Sequence, residues 1–385
     1  MKVMIVKSSA WTLEEFDNRL HPEYIAIRNA VLSFESSFVL VGIGGKRYHC
    51  FSHPTLDVFF FNIAADNSVL WLLSFPVLFV LVLIMRPRIV FTMGLFVQIP
   101  AQLAADLIGA RHVTAVFGEP FYLTTRMRGF VLLLYKAMGV LFLLRVALNG
   151  ADGVMAISQK MKRDLNKIMG SGAARIQVYH YTLSDIFRPG LPGTLKINGS
   201  GSSLVLTSCR IDRRKGLELV ILAAAIVLDK ISEVVFVIRG PMADPTYFKQ
   251  LRTMIVQRGL EKHVLLSGEF CNYNDLPGIL SSADLFVHPS YDESLGISIA
   301  EALACGVPVV ATRVGGIPEL VEHMVNGILV DPDPVSISNA ILRILTDAKL
   351  REHLKQGARA FSNRIHQPSD TDFGSLLATM LRETV

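Results

Sequence analysis

Cysteine is scarce in this chain of 385 residues: there are four, Cys50, Cys209, Cys271 and Cys305. None forms a CxxC pair or stands near clustered histidines, which excludes a disulfide framework and a structural zinc site. Isolated thiols in apolar or Gly-flanked runs read as buried side chains in a reducing compartment. Charge is scarce as well, 18% of residues against 51% hydrophobic, with a mean hydropathy of +0.42. Apolar segments therefore either touch lipid or fill large cores. No long Lys/Arg run and no zinc-finger spacing occurs, so nucleic acid is not an expected partner. No uncharged run reaches the roughly 20 apolar residues of a spanning helix. Residues 69–85 carry no charge but are interrupted by Ser74 and Pro76, and residues 129–149 contain Lys136 and Arg145. An integral transporter, which needs several spans, is thereby excluded. Residues 1–6 are too short for a signal-peptide core and read as a first buried strand. No internal repeat is present. The single biased segment, residues 188–203, is rich in Gly, Pro and Ser and reads as a linker.

What is present fits two domains of ordinary size. The net charge of +5 is unevenly divided: residues 1–195 hold 19 Lys/Arg against 12 Asp/Glu, and residues 196–385 hold 19 against 21. A basic amino-terminal half suits an anionic partner, such as a membrane surface or a phosphorylated substrate. Three readings of residues 69–85 and 129–149 stay open: core helices, peripheral contact with lipid headgroups, or a span.

The carboxy-terminal half alternates short apolar runs with helical patterns. Strands are expected at 203–207, 234–238, 264–267, 285–288, 307–311 and 327–330. Helices are expected at 217–228, 247–257, 275–281, 297–304, 318–323 and 336–346. This rhythm implies an α/β domain whose parallel sheet is covered on both faces. The amino-terminal half shows a looser version, with strands at 3–6, 39–41, 88–91, 113–116 and 153–157 and a helix at 159–169.

Two segments carry chemistry. In Asp292-Glu293-Ser294-Leu295-Gly296-Ile297-Ser298-Ile299-Ala300-Glu301-Ala302, a loop leaves a strand and Gly296 opens a helix. Free N–H groups at a helix start point at an anion, and the dipole favours negative charge there. Glu301 lies one turn inside an apolar helix, an odd place for a carboxylate without a partner. Glu293 and Glu301 can then flank one ligand with phosphates between them. In Ser208-Cys209-Arg210-Ile211-Asp212-Arg213-Arg214-Lys215-Gly216, again between strand and helix, Arg210 offers a planar fork to phosphate and Lys215 a point charge. Both segments sit where open α/β sheets bind ligands, at the carboxyl ends of strands. Taken singly, each also fits a solvated turn.

Together the blocks resemble the retaining GT-B glycosyltransferases called family 4, the glycosyl transferases group 1. The resemblance runs over residues 204–345. It is carried by Arg210, Lys215-Gly216, Gly240-Pro241, residues 264–268, Ser282-Ala283-Asp284-Leu285-Phe286-Val287-His288-Pro289-Ser290 and the Glu293–Glu301 motif. Gly306-Val307-Pro308-Val309-Val310-Ala311, Gly315-Gly316-Ile317-Pro318-Glu319 and Asn326-Gly327 complete it. It implies an α/β, GT-B fold of two Rossmann-like domains with parallel sheets facing across a cleft. Residues 1–190, with 371–385 packing back, would bind the acceptor, and residues 200–370 the nucleotide sugar. It implies that Arg210 and Lys215 neutralise the departing diphosphate and that Glu293 contacts donor-sugar hydroxyls, these three being the catalytic set. Glu301 would take the ribose hydroxyls, the amides at Gly296, Ile297 and Ser298 the phosphates, and Gly240 and Phe270 would line the donor site near the base. The family acts with retention at the anomeric carbon and without a bound metal or other cofactor. Asp331-Pro332-Asp333 is formally a DxD but matches a family surface loop.

The amino-terminal half departs from that pattern. Lys7-Ser8-Ser9-Ala10 replaces a Gly-rich loop, and Phe117-Gly118-Glu119-Pro120 stands where relatives have a His, leaving Glu119 as its substitute. His180-Tyr181-Thr182 replaces an Asn-Gly. His112 and His180 read as ordinary loop or surface histidines and Gly42-Ile43-Gly44-Gly45 as a turn. The expected partners are a nucleoside-diphosphate-sugar donor and a lipid-linked or glycan acceptor, at the cytoplasmic face of a membrane. A nucleotide-sugar epimerase on the same fold and a non-catalytic sugar-nucleotide binder are the alternatives.

Overall fold

Short runs rich in Val, Ile and Leu form the strands, and longer runs with helical spacing form the layers over them. The computed structural model describes residues 2–7, 37–43, 49–53, 56–61, 68–93, 98–116, 140–170, 175–179, 181–195, 202–269, 271–367, 369 and 371–383. The chain divides into two units, Met1–Tyr181 with Pro368–Val385, and Thr182–Gln367.

The first unit contains β1 (Lys2–Lys7), β2 (Ser37–Ile43), β3 (His49–His53), β4 (Leu56–Phe61), α1 (Ser68–Met85), β5 (Ile89–Met93) and α2 (Gln98–Ile108). β6 (Arg111–Val116), α3 (Val140–Gly150), β7 (Gly153–Ala156), α4 (Gln159–Met169) and β8 (Ile176–Val178) follow. The sheet order is β3-β4-β2-β1-β5-β6-β7-β8. Every neighbouring pair is parallel except β3 with β4. α1 packs Leu78 and Val82 onto Met4, Val90 and the small residues Ala101, Ala104 and Ala105 of α2. The alanines let the two helices approach closely. No helix among the described residues is long and apolar enough to cross a membrane. The second apolar segment, 129–149, falls partly outside the described residues.

His112 is not a surface histidine. It lies on β6 and is fully buried. Its Nδ1 is 2.6 Å from Gln102 Oε1 and its Nε2 is 2.8 Å from Thr92 Oγ1. With Nδ1 protonated, the ring donates to Gln102 and accepts from the Thr92 hydroxyl. Burial pulls its pKa down to about 3, so it is a neutral crosslink between α2, β5 and β6 rather than a base. Carboxy-terminal helix Phe373–Glu383 belongs to this unit: the Phe373 ring stands edge-on to Tyr179 at 5.1 Å.

The second unit contains β9 (Ser203–Ser208), α5 (Leu217–Leu228), β10 (Val234–Arg239), α6 (Pro245–Gln257), β11 (Val264–Ser267), α7 (Leu276–Ser281) and β12 (Leu285–His288). Then come α8 (Ile297–Ala304), β13 (Val309–Thr312), β14 (Gly327–Val330), α9 (Pro334–Thr346) and α10 (Ala348–Ile365); Phe373–Glu383 is therefore α11. The strands are parallel in the order β11-β10-β9-β12-β13-β14. Chain direction across the sheet reverses between β9 and β12, and their carboxyl ends frame the crevice where such sheets take ligands.

Three expectations shift. The strand expected at 307–311 is Val309–Thr312; it begins after Pro308, which has no N–H to give the ladder. The helix expected at 318–323 is one 3-10 turn, Ile317–Glu319. The Asn326 side chain takes the next backbone groups instead, accepting from Glu322 N and donating to Leu320 O. The segment read as a linker is fastened to the second unit over its described part. Thr194 N donates to Gly278 O, and Leu195 N to Ser282 Oγ.

Candidate active site

The loop after β9 and the loop after β12 are stitched together at the switch point. Tyr291 N donates to Arg214 O at 2.8 Å. Glu218 on α5 accepts from the hydroxyls of both Tyr247 and Tyr291. Gly216 ends the first loop with φ 58°, and a Cβ there would lie 2.4 Å from Pro289 O, so only glycine fits the conformation and the space. Asp212 shapes the same loop. Its carboxylate accepts from Arg214 N, Arg214 Nε and Arg210 Nε.

These contacts bring Lys215 to Glu293. Lys215 Nζ lies 2.5 Å from Glu293 Oε2, in a spot where both side chains are about 15% exposed. His288 Nε2 is 3.0 Å from the same oxygen, and Ser290 Oγ is 3.5 Å away. The other His288 nitrogen faces Ser298 Oγ at 3.4 Å. With Nε2 protonated, the ring donates to Glu293 and accepts from Ser298. Burial lowers the His288 pKa, which keeps the ring neutral. Burial pushes the Glu293 carboxyl upward, but the His288 hydrogen bond and the Lys215 charge outweigh it and hold the group far below the usual carboxylate range. Glu293 is therefore an anion with one oxygen engaged; Oε1 accepts no bond from the described residues.

His288 and Ser290 were not among the residues singled out as site residues from the sequence. Their signal is a histidine closing a buried apolar strand, five residues before Glu293. The backbone of Glu293 is fixed from below by the Gly-Gly pair. Gly316 N donates to Glu293 O, and a Cβ on Gly315, at φ 56°, would fall 1.9 Å from that oxygen.

α8 starts at Gly296, with φ 102°, whose carbonyl accepts from Ile299 N and Ala300 N. The amides of Ile297 and Ser298 precede the first intrahelical acceptor and so have none within the helix. Glu301, on the next turn, is buried, and burial raises its pKa to about 8. Burial raises the pKa of the Cys271 thiol; the Arg239 charge, at the end of β10, opposes this and the Glu301 charge adds to it. Gly240 has φ 139° and packs on the Cys209 carbonyl, where a Cβ would come within 2.0 Å; it holds the ends of β9 and β10 together. Arg210 is half-exposed beside Asp212. Phe270 and Glu119 lie outside the described residues, as does His180. Asp333 of the DxD caps α9, accepting from Val335 N and Ser336 N. Among the described residues no three His, Cys, Asp or Glu side chains group as a metal site.

Residues 196–361 match the family "Glycosyl transferases group 1". Over those residues the carboxy-terminal unit is similar to group 1 glycosyl transferases. A D-inositol 3-phosphate glycosyltransferase of Xylanimonas cellulosilytica is 31% identical over 225 residues, 56% of this chain and 53% of that protein. The chain thus spans about half the length of the curated relatives it matches. The likeness of solved structures to the whole chain, by contrast, concerns the fold. Sucrose-phosphate synthase from Thermosynechococcus elongatus superposes with a TM-score of 0.77 at 18% identity, covering 100% of this chain and 98% of that one. Anabaena HepE in complex with UDP-glucose superposes at 0.68 and 19%, covering 100% and 99%. The fold is GT-B.

Proposed function

We propose that the chain transfers a sugar from a nucleoside-diphosphate sugar to an acceptor, using the glycosyl transferase domain as the donor site. The observation that carries this is the Lys215–Glu293–His288 cluster beside the start of α8, at the switch point between β9 and β12. Breaking the bond between the anomeric carbon and the diphosphate sends its electron pair to a phosphate oxygen. Lys215, Arg210 and the amides of Ile297 and Ser298 neutralise that charge, and fixed dipoles of this kind act without reorganising during the reaction. Oε1 of the ionised Glu293 accepts a donor-sugar hydroxyl, and Glu301 takes the ribose hydroxyls. The acceptor oxygen bonds to the anomeric carbon and gives its proton to the departing phosphate oxygen. Support comes also from HepE, solved with UDP-glucose, and from the relative named for transfer to D-inositol 3-phosphate.

The finer reading is a retaining hexosyltransferase whose acceptor is a lipid-linked or glycan molecule at the cytoplasmic face of a membrane. The basic excess in residues 1–195 supports it. The test is release of free nucleoside diphosphate from a panel of nucleotide sugars with and without membrane lipid extract. Release that requires the acceptor is expected; interconversion of the sugar without release marks an epimerase. Lys215→Ala should lower kcat/KM by about 10²–10³-fold, as for removal of one charge-stabilising group. Activity surviving both Lys215→Ala and Glu301→Ala would remove the assignment.

A further inference from the structure

α1, α2 and α3 connect successive parallel strands of the first unit, and α1 packs on α2 and α2 on α3. Right-handed crossovers in one direction along a sheet place such helices on one face. Their inner residues are buried, as expected. Their outer residues are largely apolar, with Asp106 on α2 and Arg145 on α3 the charged ones among the described residues. α1 exposes Val80 and Ile84, α2 exposes Leu103 and Leu107, and α3 exposes Phe142 and Val146. Each pair is spaced i, i+4, so each helix turns one apolar stripe outward. Ile84, Leu107 and Phe142 are 72%, 69% and 67% exposed, values that a fold covering its own apolar surface does not leave on three adjacent helices.

The fourth helix of this face, α4, is different. It packs on α3, and its outer side carries Lys162, Arg163 and Lys167. Asp164 is buried and takes Lys160 at 2.9 Å and Lys167 at 3.3 Å. Arg145, exposed on α3, reaches the end of α4 at Gly170. Arg86 and Arg88 are exposed just after α1. Among the described residues of the four helices, the one exposed acid is Asp106, which accepts from Gln102. The face therefore combines an apolar centre with a basic flank.

We propose that this face docks on a bilayer bearing anionic headgroups. Ile84, Leu107 and Phe142 would enter the interface, and Arg163, Lys167, Arg145, Arg86 and Arg88 would lie against the headgroups. A basic flank beside apolar side chains suits such a surface, because burial of apolar area adds to attraction by anionic lipid. A second copy of the chain offers the same basic flank and so no charge complement. The inference deepens the reading of a lipid-borne acceptor and rests on it for its use; the surface and the donor residues belong to different units.

The test is co-sedimentation of the full chain with vesicles of phosphatidylcholine alone or with about 30% phosphatidylglycerol. The wild type should bind the anionic vesicles at least about tenfold more tightly. Ile84→Asp with Leu107→Asp should lose about tenfold or more, and Phe142→Ser serves as a second, milder variant. Arg163→Glu with Lys167→Glu should lose about tenfold at low salt and much less at high salt, where the attraction is screened. Thermal shift with uridine or guanosine diphosphate reports whether each variant is folded and binds donor nucleotide. Wild type that ignores anionic vesicles, or apolar variants that bind as well as wild type, would overturn the proposal. So would sedimentation velocity showing a wild-type dimer that Ile84→Asp with Leu107→Asp makes monomeric, which assigns the face to a second copy. Vesicle binding without any nucleotide binding would leave the docking face standing and sink the donor-site reading instead.

Discussion

Two carboxylates of the second unit are held in opposite states by their surroundings. Glu293 is buried but ringed by Lys215, His288 and Ser290, so it stays ionised. Glu301 is buried without such a ring, and its pKa rises to about 8. In the unfolded chain Glu301 ionises near 4.5, so the folded state holds a proton that the unfolded state releases between about 4.5 and about 8. Its contribution to stability is therefore fully present below about 4.5 and falls as the pH rises to about 8. Glu301→Gln should unfold at a higher temperature than wild type at pH 8, with the difference shrinking toward pH 4.5. The same substitution should weaken nucleoside-diphosphate binding by about tenfold or more, because a charged acceptor for the ribose hydroxyls is lost. Ribose hydroxyls favour the ionised carboxylate, so wild-type binding should release a proton near neutral pH, read by calorimetry in buffers of different ionisation enthalpy. A stability difference that does not change with pH would show that Glu301 is not the buried acid described.

At the scale of elements, the site is a junction of loops rather than one motif. The Gly315-Gly316 turn after β13 lies against the backbone of Glu293, and no side chain fits at either position. Gly315→Ala should displace the Glu293 loop. We expect a lower unfolding temperature together with nucleotide affinity reduced about tenfold or more, since a left-handed φ and a backbone clash act at once. Affinity unchanged in a destabilised variant would separate the turn from the site. This junction also explains what was legible beforehand. Arg210, Lys215, Glu293 and Glu301 lie within contiguous blocks flanked by clear strand and helix patterns. His288 and Ser290 act through convergence on one oxygen, which spacing along the chain does not display. In the first unit β3 and β8 are short and partly polar, so no apolar run marks them in the sequence. α1 is apolar on every side, so its sequence has no periodic contrast to say which stripe faces outward. Its outer stripe became visible only with Leu78 and Val82 placed against the sheet. The burial of His112 is hidden for a related reason: a polar residue beside an apolar run is readable as buried only when Gln102 and Thr92 are seen to satisfy it.

At the scale of the molecule, the proposed chemistry and the proposed docking face fall on different units. The proposed donor residues lie in Thr182–Gln367, whereas α1 to α4 lie in Met1–Tyr181. A reaction on a lipid-borne acceptor needs both, but a short-chain soluble acceptor analogue needs only the donor site. Variants should separate accordingly. Ile84→Asp with Leu107→Asp should keep nucleotide binding, and transfer to the soluble analogue should stay within about twofold of wild type. Transfer to the same acceptor presented in anionic vesicles should fall at least about tenfold, because binding confines the enzyme to the surface that holds its substrate. Lys215→Ala should do the reverse: vesicle binding is retained, and both transfers are lost together. The comparison is made at fixed acceptor concentration, with and without vesicles. Equal losses on soluble and vesicle-borne acceptor in the Ile84/Leu107 variant would mean that these side chains serve the fold or the acceptor site rather than a membrane, and the division of labour between the units would fall.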